Sequence, residues 1–299
     1  MTPKYPHLTT RTSHKLSLPD DERIVQIRTV RWIGYPQANK GLEKLEDLLS
    51  YPEIHRMPNL LIVGDTNNGK TMLVKQFCTE HPPDDNIEGE AAIVPVLYVQ
   101  APPIPDEGRF YSAILDRLHA PCRPTERVGT KQFQVMSILN QVGTRMLIID
   151  EIHQILAGHL NKQRSFLNVI KCLGNELKIS VVGVGTRDAL RAIQTDEQLA
   201  NRFERFQLSR WGLNKDFLRL LISFERLLPL YLPSNLHEKR LAEQIFLMSE
   251  GYIGEVARLL ISAAVTAVRN GDEKIGSRIL KELDWCPPSD RRQMPELEI

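Results

Sequence analysis

The feature that most constrains this chain is Gly64-Asp65-Thr66-Asn67-Asn68-Gly69-Lys70-Thr71, which fits the phosphate-cradling pattern GxxxxGK[ST]. The pattern carries meaning only between a buried strand and a helix. Here the apolar run Leu60–Val63 precedes it and the largely apolar stretch Met72–Phe77 follows. Gly64 and Gly69 let backbone N–H groups turn inward around phosphate oxygens, and the helix start adds its positive end. Lys70 supplies a point charge between the β- and γ-phosphates, and Thr71 offers a hydroxyl to Mg2+. Residues Gly64 to Thr71, with Met72 beside them, are the expected nucleotide contacts, and ATP with Mg2+ the expected ligands. A glycine-rich turn arising by chance is the alternative, and the strand and helix on either side weigh against it.

Around this loop, short apolar runs alternate with longer amphipathic stretches. Leu60–Val63, Val94–Val99, Met146–Ile149 and Val181–Val184 are rich in Val and Ile and too short for helices. Runs that are apolar on both faces suit a parallel sheet covered by helices, so the fold class is α/β. After about Leu208 no comparable run occurs. Phe217–Leu228, Leu241–Ser249, Glu255–Val268 and Ile275–Leu283 have helical spacing, with Gly251 and Gly271 as stops. Ahead of the loop, Ala38–Ser50 reads as a helix, and Asp20–Val30 as another whose acidic start suits a helix N-terminus. The expected layout is an arm with a short helix over 1–30, an α/β core over 31–210, a small helical lid over 211–284 and a mobile tail over 285–299.

Composition adds exclusions. Thirty-eight Lys+Arg against 37 Asp+Glu exclude a uniformly basic nucleic-acid binder, but not a local basic stripe. Cys78, Cys122, Cys172 and Cys286 form no metal spacing, and a reduced, cytoplasmic protein is the expectation. The longest nearly unbroken apolar stretch, Leu259 to Val268, is about half of a membrane-spanning helix. No secretory signal is expected.

Met146-Leu-Ile-Ile-Asp150-Glu151 carries the second piece of chemistry. A buried strand delivers Asp150 to its carboxyl end, where it can hold Mg2+ together with Thr71. Glu151 is then placed to orient and polarise a water for attack on the γ-phosphate, which argues for hydrolysis over nucleotide binding alone. Thr186, after the next apolar run, stands where a γ-phosphate sensor belongs, and a turn-capping threonine is the other reading. Arg202 and Arg205 lie just before the expected last strand. One of them, Arg202 by preference, is a candidate arginine finger acting on a neighbouring subunit; surface pairing with Glu204 or Glu197 is the alternative. Arg258, near the start of a helix with an apolar stripe, is either a lid arginine that folds onto the phosphates or a solvated one. His153 and His55 have no partners at ligand spacing and read as structural histidines.

P-loop, Asp-Glu pair, sensor-type threonine, pre-strand arginine and helical lid together resemble an AAA+ ATPase. More narrowly, Arg31-Trp-Ile-Gly-Tyr35-Pro, Arg56 to Gly64, Asp65 to Thr71, Asp150-Glu-Ile-His153 and Gly158 resemble the TniB family of transposition ATPases. That family is similar to TnsC of Tn7-like and CRISPR-associated transposons. The resemblance implies bacterial, ATP-bound subunits that assemble head-to-tail as rings or helical filaments on duplex DNA without sequence specificity. It implies contact with a TniQ- or TnsD-type target selector, recruitment of a DDE transposase of the TniA or TnsB type, and disassembly on hydrolysis. It also implies that Ile33 and Tyr35 lie beside the adenine and ribose. Segment 109–131 holds Arg109, Arg117, Arg123, Arg127 and Lys131 against Asp116 and Glu126, a local +3. The family places DNA-lining loops there, so Arg109, Thr130 and Lys131 are the expected phosphate contacts, a solvated charged face being the alternative. A helicase loader and a signalling nucleotide switch are the competing functional classes. The end, Met294-Pro-Glu-Leu-Glu-Ile299, reads as unstructured, with a docking peptide as the other reading.

Overall fold

The computed structural model describes residues 5–29 and 31–293; Met1–Lys4, Val30 and Met294–Ile299, and with the last the expected unstructured end, lie outside the described residues. The chain forms two compact units, one of Pro36–Ser209 and one combining Met1–Tyr35 with Arg210–Ile299.

The first unit is built on five parallel strands, β1 Asn59–Gly64, β2 Val96–Gln100, β3 Met146–Asp150, β4 Ser180–Gly185 and β5 Phe203–Leu208, in the order β2-β3-β4-β1-β5. β1, β3 and β4 are buried along their whole lengths, which is why they show as unbroken apolar runs. β5 is an edge strand whose exposed Glu204, Arg205 and Gln207 interrupt its apolar residues. Arg205 is therefore inside the last strand and only Arg202 precedes it, a correction to the sequence expectation. β2 begins at Val96 rather than Val94, because Pro95 has no N–H to give to a ladder; its carbonyl instead accepts from Arg145 and Met146 N–H. Helices Pro36–Leu49, Lys70–Glu80, Glu107–Arg117, Val128–Gln141 and Leu160–Glu176 belong to this unit. One apolar cluster joins Phe110, Ile114, Val135, Leu147, Phe166 and Val181.

The second unit is helical, with Lys215–Glu225, Lys239–Ser249, Ile253–Arg269 and Ser277–Glu282 around a core that includes Phe217, Leu221, Leu260 and Ala264. The buried Glu225 carboxylate accepts N–H groups from Ser234, Asn235 and Leu236 at 2.8, 2.9 and 3.0 Å, pinning the loop that follows its helix. Gly251 ends the turn between two helices at φ 71°, and a Cβ there would come 2.3 Å from the Trp211 carbonyl oxygen. Only glycine fits both constraints.

Two expectations change here. The short helix expected over Asp20–Val30 forms as Asp20–Arg28, but the stretch before it is no loose arm: helix Thr10–Ser13 forms, and Ile24 and Ile27 enter the same core. Arg23 is 1% exposed, and its guanidinium makes two hydrogen bonds to Glu273, at 2.8 and 2.6 Å. Residues 31–35 likewise group with the helices rather than with the sheet. At the other end Trp285 packs against the helical core and donates from Nε1 to the Met248 carbonyl at 2.8 Å, and Pro288–Gln293 is helical, so 285–293 is not a mobile tail. The reason is common to both ends: each carries apolar side chains whose burial offsets the entropy of ordering them. Among the described residues no single helix is long and apolar enough to cross a membrane.

Candidate functional site

The site forms at the carboxyl ends of β1, β3 and β4, where an open parallel sheet presents its loops and helix starts. Register brings its parts together: Val63 pairs with Gly185, and Ile149 with Gly183. The P-loop leaves β1 at Gly64, where a Cβ would meet the Leu208 carbonyl oxygen of β5 at 2.8 Å. Asn67 and Gly69 take positive φ, 61° and 86°, so that the loop wraps and the helix starts at Lys70. Asn68 is buried beneath it and donates from Nδ2 to the Leu208 carbonyl at 2.8 Å. Asp65 and Met72 are half-buried, while Thr66 and Asn67 face solvent.

Lys70 is 7% exposed and its Nζ donates to the carbonyls of Gly64 and Asp65, at 2.9 and 2.8 Å. Burial pushes its ammonium below the ordinary lysine range, partly opposed by the carboxylates of Glu151, Asp150 and Asp65. That lysine is pre-positioned: a phosphate has only to displace two carbonyls to gain a desolvated cation.

Thr71 Oγ1 donates to Asp150 Oδ2 at 2.8 Å. The hydroxyl and the carboxylate together offer the few oxygen donors that Mg2+ takes from protein when phosphates and water supply the rest, so the pair fits that ion. Asp150 is itself held on both oxygens. Tyr98 OH donates to Oδ2 and the Glu151 N–H to Oδ1, each at 2.8 Å. Burial first, and the bond to Asp150 second, push the Tyr98 phenol well above its ordinary range, so it stays a donor. Glu151 is in the left-handed region at φ 55°, an uncommon conformation for a side chain larger than asparagine. Its Oε2 lies 3.3 Å from His153 Nε2. Thr186 begins the turn after β4; its hydroxyl is buried and has no hydrogen-bond partner among the described residues. It caps nothing, which leaves it available to a ligand. Its neighbour Arg187, 70% exposed in its side chain, has Nε 3.3 Å from Asp65 Oδ1.

The remaining candidates lie apart from this group. Arg202 sits at the amino end of β5, half-buried, its Nη1 donating to Asn175 Oδ1 at 2.6 Å. Arg205 is exposed on β5. The P-loop is at the other end of the adjoining strand, about 17 Å away at the rise of a strand. Arg109 and Thr130 are exposed, whereas Lys131 is 5% exposed and its Nζ donates to Ser112 Oγ and the Pro124 carbonyl, at 3.0 and 3.3 Å. Lys131 is thus an internal brace, not a surface phosphate contact. In the helical unit, Ile33 packs on the core. The Tyr35 ring is 9% exposed and 4.9 Å from Trp211, its phenol pushed up to about 12 by burial. Arg258 pairs with Glu255 at 3.3 Å and lies over the Trp285 ring at 4.7 Å; a phosphate would have to replace both partners.

Sequence reasoning passed over Tyr98 and Arg187, and read His153 only as structural. Spacing from Asp150 marks His153 as a neighbour, but nothing in the chain marks Tyr98, which reaches Asp150 through strand order alone.

Residues 23–213 match the family of bacterial TniB proteins. No curated protein matches the chain at a significant level. Among solved structures it is similar to the Aeropyrum pernix ORC2 protein in ADPNP-ADP complexes, at 16% identity and TM-score 0.62, over 86% of this chain and 70% of that one. Cdc6p of Pyrobaculum aerophilum is similar at 16% identity and TM-score 0.60, over 86% and 68%. The Aeropyrum pernix ORC1 protein in complex with DNA is similar at 15% identity and TM-score 0.54, over 97% and 69%. At such identities the likeness is one of fold.

Proposed function

Since the chain belongs to the TniB family and is a P-loop ATPase of the AAA+ fold, we propose that it is an ATP-dependent, DNA-binding regulator of transposition. The family match across the nucleotide-binding unit carries this reading, and the site supplies its chemistry. The Lys70 ammonium exchanges its two carbonyl acceptors for oxygens of the β- and γ-phosphates. Thr71 and Asp150 would hold Mg2+, which would neutralise charge on the phosphate oxygens. Glu151 takes a proton from a water whose oxygen bonds to the γ-phosphorus. The bond from that phosphorus to the bridging oxygen breaks, and its electron pair leaves with ADP.

The position of Arg202 supports assembly. At the opposite end of the sheet from its own P-loop it cannot reach its own γ-phosphate, but on another copy's nucleotide it completes the site. An interface that joins two different faces is heterologous, and repeated copies of it generate rings or helical filaments. ATP is then the removable bridge between subunits, and hydrolysis loosens the array. The family resemblance extends the reading to a TniQ-type selector and a DDE transposase as partners. Electron microscopy of the protein on duplex DNA tests it: ordered rings or filaments are expected with a non-hydrolysable ATP analogue and not with ADP. A protein that stays monomeric with both analogue and duplex present would refute assembly.

For DNA, the amino ends of Glu107–Arg117 and Val128–Gln141 meet: a Cβ on Gly108 would lie 3.4 Å from Val128 Cγ2. Exposed Arg109, Arg127 and Thr130 flank that junction, giving two cations for backbone phosphates; the start of Glu107–Arg117 is capped by the Asp106 carboxylate, so only the uncapped start of Val128–Gln141 adds a positive helix end. Arg109→Ala with Arg127→Ala is expected to weaken DNA binding evenly across sequences. It should also lower the slope of log affinity against log salt by about 2. An unchanged slope in a salt titration would move the DNA path elsewhere.

A further inference from the structure

A second group around the base has no role so far. His153 lies two residues beyond Glu151 in the turn of 3-10 helix Ile152–Ala157, and its two ring nitrogens face different things. Nε2 is 3.3 Å from Glu151 Oε2. Nδ1 is buried with no hydrogen-bond partner among the described residues, as is Thr186 Oγ1. The ring lies against the end of β4, where a Cβ on Gly185 would come 3.2 Å from Nδ1. Gly185 therefore leaves the space the imidazole fills, one residue before the sensor-type threonine. A buried polar atom without a partner is costly, and two of them flanking one strand end indicate a place built to receive polar atoms from elsewhere.

We propose that His153 is the positioning residue for Glu151, tying the base carboxylate to the strand end that senses the γ-phosphate. The carboxylate sits on a residue in a left-handed backbone conformation, so its direction is not set by an ordinary helix or strand. The Nε2 contact sets it. With Nε2 donating to the Glu151 carboxylate, Nδ1 is the acceptor of the ring, so an attacking water that reaches Thr186 can donate to it, and the aim of Glu151 then depends on an occupied site. His153 contacts no Mg2+ donor and is distinct from Lys70 and the P-loop, so its effect falls on turnover and not on nucleotide binding.

This inference rests on the ATPase reading and is separable from it. The test compares His153→Phe and His153→Gln with the wild type, measuring kcat, KM for ATP and the affinity for a non-hydrolysable ATP analogue. Phenylalanine keeps the wedge and loses both nitrogens; glutamine restores an N–H near the carboxylate. His153→Phe is expected to lower kcat by at least about tenfold, with analogue affinity within about twofold of wild type, and His153→Gln is expected to recover part of the loss. Unchanged turnover in His153→Phe, or a parallel loss of analogue affinity in both variants, would overturn the assignment. A wild type that does not hydrolyse ATP would instead overturn the ATPase reading. If His153→Phe does not fold, His153→Gln set against His153→Ala decides the same question by the same ratio.

Discussion

Glu151→Gln is expected to lower ATP turnover by about 100- to 10,000-fold while leaving ATP bound, the range a positioned general base contributes. The amide keeps the size and the left-handed backbone of Glu151 but cannot take the proton from water. In the proposed site Lys70, Thr71 and Asp150 would hold the nucleotide and its metal, and they are untouched, so analogue affinity should stay within a few-fold of wild type. In the proposed assembly cycle the same substitution stabilises the polymer: subunits load ATP, bridge, and do not release. Two measurements check this together, steady-state phosphate release and the lifetime of the DNA-bound polymer after dilution into ATP-free buffer. Normal turnover would remove Glu151 from the role of base. Lost turnover with a short-lived polymer would separate hydrolysis from disassembly and refute the cycle.

Arg23→Ala is expected to destabilise the helical unit by about 3 kcal/mol or more, the cost of removing one partner from a buried ion pair. Arg23 is 1% exposed, binds Glu273 through both terminal nitrogens and Asp20 through one, and lies 4.8 Å from the centre of the Tyr231 ring. Without it the Glu273 side chain, 16% exposed, keeps its charge and loses its counterion. For a unit of this size the loss corresponds to a fall in melting temperature of roughly 10 °C. Replacing Arg23 by Ala and Glu273 by Ala together should cost less than the sum of the two single changes, since each single change leaves the other charge stranded. A melting temperature within a degree or two of wild type would mean that the N-terminal helix is not held by this pair.

Proline and polarity ahead of the Asp20 helix read as a loose segment, because most of the apolar side chains there are spaced singly. Leu8, Leu16, Ile24 and Ile27 are nevertheless buried, and the core that Ile24 and Ile27 join is otherwise built from residues beyond 210. Lys131 failed for the opposite reason. A basic residue in a basic stretch counts toward a charge sum wherever its side chain goes, and this one turns inward to Ser112 and Pro124. β5 shows the same limit at the level of elements: one exposed edge breaks its apolar run, so its register against β1 was hidden.

The residues along the chain determined the ligand class and the fold class. The P-loop and the Asp150-Glu151 pair are contiguous, and their chemistry is fixed by backbone geometry and a strand on one side. Their function therefore survives reading one residue after another. Tertiary structure decided which groups complete them. Tyr98 reaches Asp150 across 52 residues and Arg23 reaches Glu273 across 250, through strand order and helix packing that no local pattern encodes. The physical reason is that propensity and periodicity act over a few residues. The fixing of a carboxylate, a hydroxyl or a guanidinium is set by whatever the finished core brings to within hydrogen-bond distance.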